Sequence, residues 1–170
     1  LTSRGDALTS RDELERAASL LRVIPLLRQS RVLASGPYKG TPESYTPEKV
    51  KERLGVEMVG IPDGRYDEVM AGVDEAAAEA VAKEWLNDAD GIIEPNKEDV
   101  LKAARASLTL DKMIDENGAH GLCVGTCMGW LPRGFPCLGF SRLNDRGIPA
   151  ACDGDMDCAL TMLIFQHALG

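Results

Sequence analysis

The chain has 170 residues, 44% of them apolar, and a formal net charge of −8. That length supplies one well-buried core and is too short for two ordinary domains. The basic residues are scattered rather than gathered into a positive patch, which argues against a nucleic-acid or anionic-membrane partner.

Five cysteines are an odd number, and they sit in apolar or glycine-rich segments with no signal peptide ahead of them. A disulfide framework is therefore not expected, and a reducing, cytoplasmic setting is. The longest strongly apolar run, Ala159 to Phe165, falls far short of the roughly 20 residues that span a bilayer. The chain begins with Leu1 rather than Met and stops at Gly170 directly behind an apolar helix, so both ends read as cuts from a larger protein.

In chain order, residues from Ser10 onward place Leu14, Ala17, Ala18 and Leu21 at helical spacing, with Pro25 expected to end or kink the helix. Residues 1–30 thus form a helical lead-in, read as truncated. Arg31 to Ser35 is a short apolar strand stopped by Gly36-Pro37. An irregular loop follows to Pro47. Thr46 is placed to cap a helix with Pro47 at its first position, and Gly55 ends it.

Val56 to Ile61 predicts the second strand, closed by Pro62-Asp63-Gly64. Asp74 to Asn87 is rich in alanine and glutamate, with Trp85 expected in the core, and it leads into Ile92-Ile93-Glu94-Pro95, read as a third strand. Asn96 caps a long helix that runs to Asn117, with Gly118 as its stop. His120 to Gly125 is a strand, Thr126 to Pro136 a Gly/Pro/Trp loop, Cys137 to Asp145 a helix, Ile148 to Cys152 a strand and Asp155 to Ala168 the last helix.

Short strands that are apolar on both faces, alternating with helices, predict a doubly wound α/β domain over residues 31–170. Its sheet is mainly parallel with helices on both faces, a Rossmann-like three-layer arrangement. Ligands in such sheets bind beyond the carboxyl ends of the strands, which directs attention to the loops starting at Gly36, Glu94, Gly125 and Cys152.

Asp153-Gly154-Asp155 follows the last strand. Two carboxylates at this spacing can face one cleft as hard oxygen ligands for Mn²⁺ or Mg²⁺, or Asp155 can simply cap the helix it opens. Cys123, Cys127 and Cys137 surround the glycine-rich loop. Their C-x3-C spacing, with only His120 nearby, fits small buried apolar side chains better than a zinc site. Trp130 can stack on the apolar face of a sugar or pack in the core. Gly36-Pro-Tyr-Lys-Gly-Thr41 lacks the spacing of a phosphate-binding loop.

The segment from Phe135 through Ser141-Arg-Leu-Asn-Asp-Arg-Gly-Ile-Pro-Ala-Ala-Cys-Asp-Gly-Asp155 to Leu163 resembles the central region of L-fucose/L-arabinose isomerase-like sugar isomerases. The likeness extends to Gly36-Pro-Tyr-Lys-Gly-Thr-Pro42, Thr46 to Val56, Glu94-Pro95 and Ala103-Ala-Arg105. The resemblance implies a metal-dependent aldose–ketose isomerase of carbohydrate metabolism that takes a small sugar and works as a homo-oligomer through missing segments.

It also implies an acidic-x-Asp element that binds the catalytic Mn²⁺, matched here by Asp153 and Asp155, with a Glu from the same region and a His from a later domain. The family's Glu base precedes that element. Here no Asp or Glu occurs between Asn117 and Asn144, and Cys137 stands in the equivalent place. A thiol does not simply replace a carboxylate base. The catalytic residues are therefore left unassigned, and a non-catalytic sugar-binding or structural domain that keeps the isomerase fold is the alternative.

Overall fold

The computed structural model describes residues 10–169 except positions 43, 45 and 126. Helix α1 (Arg11–Gln29) opens on a capping box in which the Ser10 hydroxyl accepts from the Glu13 amide and Glu13 accepts from the Ser10 amide. The helix runs through Pro25 instead of ending there. Val23 and Leu27, either side of the proline, are buried in the core, and that packing holds the helix across it.

Strand β1 (Arg31–Ser35) leads to α2 (Pro47–Leu54), capped by Thr46 and stopped by Gly55 in the left-handed conformation, as the sequence predicts. Strand β2 (Glu57–Gly60) is followed by α3 (Arg65–Ala71), a short helix with no sequence counterpart because no side chain caps it. Helices α4 (Glu75–Asp88) and α5 (Lys97–Asn117) follow. Asn96 caps α5 through the Glu98 and Asp99 amides, and Gly118 ends it.

Residues 92–95 are not a strand. Ile93 is 97% exposed and Ile92 about half exposed, so this connection lies outside the layers where a strand would find a partner. The crossover from β2 to β3 (Gly121–Val124) is therefore built from three successive helices. Beyond β3 the glycine-rich loop carries a 3-10 turn (Cys127–Arg133), then come α6 (Cys137–Asp145), a β4 reduced to Ala150–Ala151, and α7 (Met156–Leu169).

The four strands pair in parallel in the order β2-β1-β3-β4. Leu33 stands opposite Val59 on one side and Leu122 on the other. Alternation along the strands divides the core into two layers. Leu33, Leu122, Val124 and Ala150 face α3, α5 and α6 through Tyr66, Leu110, Met113 and Leu143. Val32, Ala34, Cys123 and Ala151 face α1, α2 and α7 through Leu27, Val50 and Leu163. This is an α/β three-layer fold, with α4 packed on the outside of α5 through Val81, Ala82 and Ala104. Trp85 is half-buried in that outer cluster rather than in the main core. Among the described residues, no helix is long and apolar enough to cross a membrane.

Candidate functional site

The strand order reverses direction at β1, so the crevice that such a sheet offers a ligand lies between the carboxyl ends of β1 and β3. In this chain that crevice is filled by its own backbone. The loop after β1 passes over the end of β3: the Gly125 amide donates to the Ser35 carbonyl (2.7 Å) and the Gly154 amide to the Val124 carbonyl (2.9 Å). The Lys39 amide donates to the Gly154 carbonyl (2.7 Å), and the Met156 amide to the Lys39 carbonyl (2.9 Å), making a parallel bridge between Lys39 and Asp155.

The closeness depends on glycine. A Cβ at Gly125 would stand 2.1 Å from the Pro37 carbonyl oxygen, and one at Gly154 would stand 2.2 Å from it. The contact is backbone on both sides, so nothing can rotate away.

With the central crevice closed, hollows remain to either side. Asp155 lines a shallow pocket of about 420 Å³ with Lys39, Asp157, Cys158 and Thr161. Trp130 lines another of about 250 Å³ with Tyr66, Asp67 and Arg133, beside the ends of β1 and β2. The two share no residue, so the structure does not bring Trp130 and the aspartates into one cleft.

Asp155 occupies the cap position of α7, its Oδ1 accepting from the Cys158 amide at 2.8 Å while its carbonyl accepts from the Ala159 amide. Asp153 sits in the left-handed region at φ 59°, which aspartate tolerates better than most residues, and its Oδ2 pairs with the Lys39 ammonium. That lysine is 114 residues away in the chain, so no local spacing signals the pair. Trp130 stacks on Tyr66 with ring centroids 4.0 Å apart and planes 6° from parallel. One indole face is thereby used in packing, and Arg133 pins the turn by donating from Nη2 to Asp67 at 2.9 Å.

A third acid, Asp157, carries no motif that singles it out in the sequence. Its Oδ2 accepts from the Thr41 amide (2.7 Å), and its Oδ1 from the Ser44 hydroxyl (2.6 Å) and the Thr41 hydroxyl (3.1 Å). The Ser44 hydroxyl and, more weakly, the Thr41 amide and hydroxyl favour the charged form over the opposing effect of burial. They hold the Asp157 carboxyl below its ordinary value.

A depressed carboxyl pKa contributes stability above the unfolded-state value and loses it as pH falls through the folded one. Asp157→Asn is therefore expected to lower the urea midpoint at neutral pH, with the gap to the unaltered protein closing below about pH 4. A gap independent of pH would contradict this account.

All five cysteines are free thiols. Cys123 and Cys127 are buried, as the apolar reading expects, but Cys137 is exposed because it opens α6 at the surface. Burial, and next the Asp155 charge, push the Cys123 thiol up to about 12. The two histidines lie at the other end of the sheet. His120 Nδ1 accepts from the Arg31 amide (3.3 Å), and His167 Nε2 is 2.8 Å from the Ser30 hydroxyl. Among the described residues, no group of three or more His, Cys, Asp or Glu side chains is placed to hold a metal ion. Asp153 is paired to Lys39, Asp155 accepts from the Cys158 amide, and Asp157 accepts from two hydroxyls and an amide, so each of these carboxylates already has a partner within the chain.

No protein-family model matches this chain, and no curated protein matches it.

Proposed function

We propose that this chain is an α/β domain of an L-fucose/L-arabinose isomerase-like protein of carbohydrate metabolism, with the end of β4 forming one wall of a small-sugar site. The observation that supports this reading is the position of Asp153-Gly154-Asp155 just after β4, where Asp155 lines a pocket of about 420 Å³. That is the edge at which an open parallel sheet presents ligand-binding groups. In this reading the whole protein is a cytoplasmic homo-oligomer. Asp155 is one ligand to Mn²⁺ or another divalent cation, and the remaining donors come from outside the described residues.

The second reading is a non-catalytic sugar-binding or structural domain that has kept the isomerase fold. The Lys39–Asp153 pair favours it, since an ammonium already neutralises the carboxylate that a cation would use. So does the stretch from Asn117 to Asn144, which has no Asp or Glu to serve as a base.

Thermal melting of the whole protein, with the segments that supply the remaining donors, in MnCl₂ separates the two. A ligand that binds only the native state at about 100 times its dissociation constant stabilises by about 2.7 kcal/mol, or roughly 5–10 °C in Tm for a domain of this size. A rise of that order is expected, and Asp155→Asn, which retains a capping oxygen but removes the charge, is expected to abolish it. No rise in the unaltered protein overturns the metal ligand. A rise with L-fucose or L-arabinose alone, insensitive to Asp155→Asn, supports the second reading.

A further inference from the structure

Cys127 and Cys152 lie 25 residues apart in sequence, on the 3-10 turn after β3 and at the end of β4, and the parallel pairing of those strands brings their Sγ atoms within 3.3 Å. Both are thiols; Cys152 is exposed and Cys127 is buried behind it. We propose that this pair is a reversible oxidation site, converted to a Cys127–Cys152 disulfide by peroxide.

In the first step the Cys152 thiolate attacks one peroxide oxygen. An S–O bond forms, the O–O bond breaks, and water leaves once the departing hydroxide takes a proton, giving a sulfenic acid. In the second step the Cys127 thiolate attacks that sulfur, the S–S bond forms, and the hydroxyl departs as a second water. Two thiols are oxidised and one hydrogen peroxide is reduced to two waters.

Exposure marks Cys152 as the sulfur oxidised first, and the short separation makes Cys127 the resolving thiol. Cys152 immediately precedes Asp153, and Cys127 opens the turn that carries Trp130 and Arg133. The bond would therefore fasten the turn to the acidic loop and reduce the freedom of both pockets. The inference does not rest on the sugar-isomerase reading.

The test uses the whole chain, treated with hydrogen peroxide, then unfolded in urea and blocked there with N-ethylmaleimide so that buried thiols also react, and mapped by fragment-ion mass spectrometry. The expected result is a fall from five blockable thiols to three. A cross-linked peptide should join Cys127 to Cys152, and dithiothreitol should restore both. Cys152→Ser, a change at an exposed position, is expected to abolish the cross-link, whereas Cys137→Ser is expected to leave it. Full blocking of Cys127 and Cys152 after peroxide, over-oxidation of Cys152 without a cross-link, or a bond to another cysteine would each overturn the proposal. Circular dichroism of Cys152→Ser distinguishes loss of the bond from loss of the fold.

Discussion

Gly154→Ala is expected to destabilise the protein by about 3 kcal/mol, combining left-handed backbone strain of roughly 1–2 kcal/mol with overpacking of about 1–3 kcal/mol. Gly154 has φ +70°, and an added Cβ would meet the Pro37 carbonyl oxygen at 2.2 Å and the Gly125 Cα at 3.1 Å. Relief requires the loop after β1 to lift off the end of β3, which breaks the Lys39–Gly154 and Met156–Lys39 backbone bonds.

Gly64 supplies the control, because it has a similar φ of +79° and a Cβ added there would meet nothing within 4 Å. Alanine there is expected to cost only the conformational part, about 1 kcal/mol. Urea unfolding of the two variants checks this, and equal losses would mean that the close approach of the three loops contributes nothing.

Leu122→Ala is expected to cost about 3–4 kcal/mol, near the middle of the range for a leucine removed from a packed core. Leu122 has no exposed surface, stands on the strand that pairs with both β1 and β4, and belongs to the cluster holding Leu33, Leu110 and Leu143. The surrounding backbone is fixed by parallel pairing on both sides, so the cavity cannot collapse easily.

Ile93→Ala offers the contrast. The alternating-element pattern reads Ile93 as part of a buried strand, where truncation to alanine would cost about 2–5 kcal/mol. At 97% exposure the expected change is within about 0.5 kcal/mol. Denaturant midpoints decide between these two environments directly.

Comparison of these two residues shows where a sequence carries its structure openly. Both are branched apolar residues in short apolar runs flanked by turn formers, and local pattern alone cannot separate a central strand from a stretch of connecting loop. What separates them is whether a neighbouring strand is available, and that depends on residues far away. The same limit applies to α3, whose Gly64 start supplies no capping side chain, and to Pro25, which does not end α1, where Val23 and Leu27 on either side of it are buried.

The amino-acid sequence by itself determined the layered α/β class and the bounds of α2 and α5, because caps such as Thr46 and Asn96 and stops such as Gly55 and Gly118 act on amides and carbonyls within a turn of themselves. It also placed Asp153 and Asp155 at the end of the last strand. Only the tertiary structure decided what those carboxylates meet: Lys39 at one, the cap amide of α7 at the other, with the central crevice closed by Gly125, Gly154 and Pro37. It alone brought Cys127 to Cys152 and Tyr66 to Trp130. These contacts join segments that short-range backbone preferences do not relate, and they come into being when parallel strands align their carboxyl ends.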